Sequence, residues 1–298
     1  MYESPELIES NKQLDLTVII PAYRAESTIA KSISSAANAR PVEVIVVDDG
    51  SDDNTAAVAE AAGARCIRQE NQGAYMARRL GASCAATTYL LFLDADDEII
   101  PSAVRRSVEL MEKEEDLVVA AGTVIGTGSG TADKHFPIRY SPVTAESLLI
   151  NGFGPWPPCA AVVRRSAYET AERMSPSVID TKYADDYQLL IRLSLTGRIS
   201  VRDEATCRYE LAGGKSSKNA ELAIEAKEKI RSYYSNHLGI SIGKMTDRDL
   251  SRAADVRVAR SLWASGDKFS AAGKILKWIL KDPRAAVIKL SSSPWQRN

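Results

Sequence analysis

Two short apolar runs in this chain end abruptly in carboxylates. Val44-Ile45-Val46-Val47 leads directly into Asp48-Asp49-Gly50-Ser51-Asp52-Asp53, and Tyr89-Leu90-Leu91-Phe92-Leu93 into Asp94-Ala95-Asp96-Asp97. A run that is apolar at every position does not suit a strand with one wet face. It suits a strand buried on both sides of a parallel sheet. Ligands of such sheets collect beyond the carboxyl ends of the strands. Two acidic clusters converging there repel each other unless a cation sits between them. A divalent cation carrying a diphosphate is the simplest group that meets this need.

The surrounding pattern agrees with a parallel sheet. Residues 16–20 read as a strand ended by Pro21, 25–38 as a helix, 42–47 as a strand, and 53–62 as a helix stopped by Gly63. A short strand at 65–68, a helix at 74–86 and a strand at 90–93 complete the alternation, which implies right-handed crossovers. Pro101 opens a further helix, where its missing N–H does no harm. Residues 117–124 read as a buried strand and 126–130 as a glycine-rich hairpin turn. Residues 151–158 hold Gly152, Gly154, Trp156 and three prolines and read as a loop, either a plain connection or the lining of an acceptor pocket. A strand is expected at 159–163. From residue 219 onward only helices are expected, at 221–236, 247–264 and 269–281. The stretch 259–283 is similar to one helix-turn-helix unit of a tetratricopeptide array and should pack on the main body.

Composition narrows the function classes. The chain has 298 residues, 45% of them hydrophobic, with a formal net charge of −1. That balance argues against a nucleic-acid binder driven by bulk charge. The polar, acidic stretch 1–13 has no apolar core, so no signal peptide is expected. No apolar run reaches the roughly 18 residues of a membrane span. Cys66, Cys84, Cys159 and Cys207 show no metal-ligand spacing and read as reduced thiols of a cytoplasmic protein. His135 and His237 share no ligand spacing and read as structural or exposed.

Residues 183–193 begin another helix. Leu189, Leu190 and Leu193 follow Asp186 by three, four and seven positions, which puts Asp186 on the inward face. Asp185 stands over Gln188 and Arg192 and is expected on the polar side. A carboxylate on an apolar face needs a reason, and Asp186 is therefore the candidate general base, while helix-dipole stabilisation suffices for Asp185.

Taken together, these segments resemble an inverting nucleotide-sugar glycosyltransferase of family 2 with the GT-A fold. The resemblance covers about 16–208 and rests on five stretches in order: Val18-Ile19-Ile20-Pro21-Ala22-Tyr23, Val47 to Asp53, Asn71-Gln72-Gly73 with Ala77-Arg78 and Gly81, Leu93 to Asp97, and Asp185-Asp186. Arg24, Arg79 and Asp185 depart from the residues common at those positions. The implied fold is α/β, a mostly parallel, Rossmann-like central sheet flanked by helices, with a helical C-terminal extension. The implied organisation is a tail at 1–13, a nucleotide-sugar half at 14–100, an acceptor half at 101–212 and the extension at 213–298.

The resemblance also implies roles. Asp186 removes the acceptor proton, and Asp49 accepts the nucleobase ring N–H with Asp48 close by. Pro21, Ala22 and Tyr23 line the base pocket. Asp96 is the first choice for a Mg²⁺ or Mn²⁺ ligand, with Asp97 as the alternate, and Asp94 sits at the ribose or behind the metal. Arg78 either ties the nucleotide loop to the acidic cluster or makes an ion pair with Asp48 or Asp94. Asp52 and Asp53 are read as loop and helix-cap residues. The donor implied is UDP-linked hexose or N-acetylhexosamine, with dTDP-rhamnose or GDP-mannose as alternatives. The acceptor implied is a glycan or a lipid-linked glycan of the cell envelope. A nucleotidyltransferase or a dehydrogenase would call for glycine in the loop 21–26, which has none. A binding protein without turnover is the remaining alternative.

The last 31 residues, 268–298, hold seven Lys or Arg against Asp282 alone, a net +6. Phe269, Ala272, Leu276, Ile279 and Leu280 mark one apolar helical side, and Lys274, Lys277 and Lys281 share another with Trp278. This is either a solvated face on a docked helix or a contact for an anionic membrane surface.

Overall fold

The computed structural model describes residues 12–128, 133–211 and 219–281. Its first half comprises β1 (Leu14–Ala22), α1 (Ile29–Ala37), β2 (Pro41–Asp48), α2 (Thr55–Ala61), β3 (Arg65–Arg68), α3 (Ala74–Cys84) and β4 (Tyr89–Phe92). These strands lie in the order β3-β2-β1-β4, all parallel. The second half comprises β5 (Glu98–Ile99), α4 (Pro101–Lys113), β6 (Leu117–Thr127), β7 (Lys134–Phe136), α5 (Ala145–Asn151), a 3₁₀ turn (Pro158–Ala160), β8 (Ala161–Arg164), α6 (Arg165–Arg173), α7 (Asp185–Leu193) and β9 (Arg198–Glu210). The sheet continues from β4 through β8, β6, β9 and β5, with β7 on β6. β8 runs antiparallel to both neighbours, whereas β6 and β9 are parallel to each other.

Both faces of the sheet are covered, which is why the central strands are apolar throughout. Val18, Ile20, Val46 and Leu91 pack toward Ile29 and Ile33 of α1 and Val104 and Val108 of α4. Ile19, Leu90 and Phe92 face the other way, toward Leu148 of α5, Tyr168 of α6 and Ile191 of α7. Adjacent residues of one strand thus feed opposite cores.

Several boundaries differ from the sequence reading for physical reasons. β1 runs through Pro21 to Ala22 instead of stopping before Pro21. The ladder with β4 ends at the Ile19–Phe92 pair, so the N–H that Pro21 lacks has no strand to serve there. Gly126 lies inside β6, not in a turn. A side chain at that position would strike the Phe136 ring and Leu211, so glycine serves close strand packing. Residues 129 and 130 of the expected turn lie outside the described residues. The expected strand at 159–163 begins as the 3₁₀ turn, with Pro158 at its first position.

The extension is helical: α8 (Ala220–Leu238), α9 (Asp247–Ala264) and α10 (Lys268–Lys281). α8 buries Ile230 and Tyr234 in the second core, and Arg231 donates to Leu149 O and Gly243 O. Thr246 and Asp249 close a capping box at the start of α9. The α9–α10 pair leans on α8, as a single repeat unit must. Its orientation corrects the reading of α10. Ala271 and Trp278 are the buried side chains, whereas Phe269, Leu276 and Leu280 are 95%, 58% and 72% exposed. Among the described residues no helix is long and apolar enough to cross a membrane.

Candidate active site

The carboxyl ends of β1, β2 and β4 form one rim. Ala22 lies in register with Asp48, and Asp49 N donates to Ala22 O at 2.8 Å, which joins the Pro21-Ala22-Tyr23 segment to the first acidic cluster. Asp48 is 1% exposed and works inward: its Oδ1 accepts from Ser51 N at 3.0 Å, and its Oδ2 lies 3.4 Å from Arg68 Nε. Asp49 anchors the loop before α3. Its Oδ1 accepts from Gln69 Nε2 and Gln72 N, and its Oδ2 from Gly73 N, each at 2.8 Å. A carboxylate offers about four acceptor positions, so one remains on Oδ2 for a further donor. Gly50 has φ +75° and stands against the backbone of Asn71, a turn that a Cβ would strain. Arg24, one of the departures, pairs with Asp52 through two hydrogen bonds of 2.7 Å and lies over the Tyr23 ring.

Arg78 of α3 sits at the centre of the rim. Its Nη2 donates to Asp94 Oδ1 at 2.7 Å and its Nη1 to Asp185 Oδ2 at 2.6 Å. Of the two readings left open for Arg78, the ion pair with Asp94 is present, and Asp185 is a partner the sequence did not suggest. The guanidinium side chain is only 11% exposed. Burial pushes the Asp185 carboxyl up, and Arg78 opposes that rise. Tyr209 of β9 joins the same neighbourhood: burial raises its hydroxyl pKa, and Asp94, Asp97 and Asp186 add to the rise.

Asp96 and Asp97 are adjacent but face opposite ways. Asp96 is exposed on the rim. Asp97 is 1% exposed, and its Oδ1 accepts from Glu210 N at 2.9 Å while its Oδ2 has no hydrogen-bond partner. Burial, with Asp94 and Asp96 adding repulsion, pushes its carboxyl up to about 8. Asp97, the alternate metal ligand of the sequence reading, does not share the rim with Asp96: the turn in which Asp97 N donates to Asp94 O accompanies a side chain buried in the interior. There it meets Cys159 and Cys207, whose sulfurs are 2.7 Å apart; the three ligand atoms lie within 4.8 Å of one another.

The faces of α7 are also corrected. Asp186 is exposed and Asp185 half-buried, the reverse of the expectation. Gln188 and Arg192 explain why. Gln188 bonds both the N–H and the carbonyl of Ile179, and Arg192 donates to the carbonyls of Ala171, Met174 and Pro176. Gln188 and Arg192, on the polar-looking side of the helix, are thus buried. Asp186 stands at the first turn, where its Oδ1 accepts from Tyr187 N at 2.8 Å, and it opens to solvent beside the rim. His135 bonds Thr123 and His237 bonds Tyr233 O, both structural contacts. The shallow hollow lined by Arg79, Arg165 and Glu172 contains none of these site residues.

The exposed Asp96 beside the half-buried Asp94 fits a hard divalent cation. Mg²⁺ and Mn²⁺ are commonly held by one or two carboxylates, with substrate phosphates and waters completing the shell.

Residues 17–170 match the sequence model of Glycosyl transferase family 2. The chain belongs to this family. An uncharacterized glycosyltransferase of Haemophilus influenzae is 28% identical over 253 residues, 76% of each chain. Among solved structures, S. aureus TarS 1–349 in complex with UDP-GlcNAc matches with TM-score 0.56 at 18% identity, covering 91% of this chain and 82% of that one. Glucosyl-3-phosphoglycerate synthase from Mycobacterium tuberculosis, solved with Mn²⁺ and UDP, matches with TM-score 0.52 at 18% identity, covering 81% of this chain and 88% of that one. These likenesses establish the GT-A fold, a family-2 glycosyltransferase core with a helical extension.

Proposed function

We propose that this family-2 glycosyltransferase is metal-dependent and inverting, and that it moves a hexose or N-acetylhexosamine from a UDP-sugar to a hydroxyl of a glycan or lipid-linked acceptor. The observation that carries this reading is the pairing of Arg78 with Asp94, two residues before the exposed Asp96, and with Asp185, next to the exposed Asp186, while Asp49 holds the loop that opens the helix of Arg78. Residues 14–100 would hold the donor and 101–212 the acceptor. Pro21, Ala22 and Tyr23 line the base, and Asp49 offers its remaining acceptor position to the base N–H. Asp94, fixed by Arg78, faces the ribose side, and Asp96 is the cation ligand. A bound Mg²⁺ or Mn²⁺ supplies charge neutralisation for the departing diphosphate.

Asp186 takes the proton of the acceptor hydroxyl as its oxygen attacks the anomeric carbon. The bond to the phosphate oxygen breaks, its electron pair leaves with UDP, and the configuration inverts. Solvent exposure suits this task, because a base must meet an acceptor that arrives from outside. The test is nucleoside diphosphate release from UDP-GlcNAc, UDP-glucose, dTDP-rhamnose and GDP-mannose with Mn²⁺. Sugar-nucleotide binding without turnover across the panel would favour a binding protein instead.

The exposed row Phe269, Leu276 and Leu280 on α10, beside a sequence segment of net +6, supports peripheral contact with an anionic membrane. Co-sedimentation with phosphatidylglycerol vesicles should fall in a Leu276→Glu, Leu280→Glu variant; equal binding by the variant would remove this contact.

A further inference from the structure

Beneath the rim lies a second group of metal-ligating side chains, which does not include Asp96. The Asp97 carboxylate and the Cys159 and Cys207 thiols come from three segments: the turn after β4, the 3₁₀ turn that follows the loop 151–158, and β9. One oxygen of Asp97 and the two sulfurs all lie within 4.8 Å of one another, and the sulfurs are 2.7 Å apart. The three residues are closed to solvent, at 1%, 1% and 0% exposure. Hydrogen bonds tie their neighbours into one frame. Ile100 N donates to Thr206 O at 2.8 Å, Thr206 Oγ1 to Ala160 O at 2.9 Å, and Glu210 N to Asp97 Oδ1 at 2.9 Å.

Asp97 Oδ2 points to what this cluster holds. It is a buried carboxylate oxygen with no hydrogen-bond donor. Burying such an oxygen is costly, and an ion or an ordered water commonly accounts for one in a native protein. A water needs about two to four polar partners, and thiols are weak ones. A cation is better served by what is present. Two sulfurs and a carboxylate suit Zn²⁺, whose bonds are about 2.3 Å to thiolate and about 2.0–2.2 Å to carboxylate oxygen. At those lengths two sulfurs on one tetrahedral ion stand about 3.8 Å apart, so each sulfur here moves outward by about half an ångström. Oδ1 keeps an acceptor position beside Glu210 N and can complete the coordination. Thiolates do not suit Mg²⁺ or Mn²⁺, which take oxygen ligands such as the exposed Asp96.

We propose that Asp97, Cys159 and Cys207 form a structural Zn²⁺ site beneath the acidic rim, the two thiols losing their protons to solvent as they bind the ion. The ion would pin the turn that carries Asp96 to β9 and to the end of the loop 151–158. The assignment is independent of the transferase reading.

The test titrates the full chain with Co²⁺ under a phosphine reductant, with excess Mn²⁺ filling the oxygen-ligand sites. One equivalent of Co²⁺ should give the near-ultraviolet absorption of thiolate-to-cobalt charge transfer, and Zn²⁺ should displace it. Affinity should fall about a hundredfold or more in Cys159→Ala, in Cys207→Ala and in Asp97→Asn, one ligand's share of a structural zinc site. Cys66→Ser, and Asp96→Ala at the rim, should bind Co²⁺ as the wild type does. No thiolate absorption in the wild type, unchanged absorption in Cys207→Ala, or its loss in Cys66→Ser or Asp96→Ala would overturn the inference. So would recovery of Cys159 and Cys207 as a disulfide under the reductant. The absorption itself reports thiolate ligation, so the wild type decides the question if a cysteine variant folds poorly.

Discussion

Replacing Arg78 by Met keeps most of the side chain's volume and removes its charge. Two charge-assisted hydrogen bonds disappear, at 2.6 Å to Asp185 and 2.7 Å to Asp94. Breaking a buried ion pair from one side costs about 3–5 kcal/mol, because a charge is left without its partner. Here the two acid side chains retain 23% and 35% exposure and recover some hydration. The lower end, about 3 kcal/mol, is therefore expected. In large domains about 2–3 °C of Tm accompanies each kcal/mol, so melting should fall by about 6–9 °C. The sign of the pH dependence follows from Asp185. Its carboxyl already lies above the ordinary 3.8 because of burial, and without Arg78 it rises further. The folded variant then keeps a proton that the unfolded chain has released. Its stability falls as pH rises from about 4, and the gap to wild type narrows toward acid. Urea unfolding at pH 7 and pH 4.5 measures both effects. A variant within about 0.5 kcal/mol of wild type at pH 7, the size of an ordinary surface substitution, would refute this account of Arg78; so would a gap that widens toward acid.

Other substitutions separate folding from chemistry. Asp186→Asn touches an exposed side chain, so thermal stability and UDP binding should hold while transfer drops by about 10²–10⁴-fold; near-normal turnover would reassign the base. Asp49→Ala leaves three donors of the loop 69–73 without their acceptor. It should cost about 2–3 kcal/mol, since lost bonds to a charged group are partly replaced by water at the rim. It should also weaken UDP binding, and calorimetry showing wild-type affinity would detach Asp49 from the donor.

The parallel half of the fold was legible because every clue was local. The all-apolar runs of β2 and β4 announce burial on both faces, and β3 and α9 occur at the expected 65–68 and 247–264. The pairing of β6 with β8 and β9 was not legible, since those contacts join distant segments and carry no local signature. Asp185 and Asp186 were exchanged for a related reason. Periodicity counts apolar residues, but Gln188 and Arg192 are buried by hydrogen bonds to backbone groups of other segments. α10 was misread because its small Ala271 and its Trp278 make the docking side while larger aliphatic residues stay outside. Cys159 and Cys207, 48 positions apart, meet only through the tertiary fold. The short motifs around Asp49, Arg78, Asp94 and Asp96 were readable because each is compact in sequence.

Calorimetric titration of UDP with and without Mn²⁺, in wild type and Asp96→Ala, bears most directly on the acidic rim. The expected result is micromolar-range binding that needs Mn²⁺ and weakens about tenfold or more in the variant, a loss of at least about 1.4 kcal/mol. UDP binding that is indifferent both to chelation of the metal and to Asp96→Ala would contradict the rim as the donor's diphosphate site.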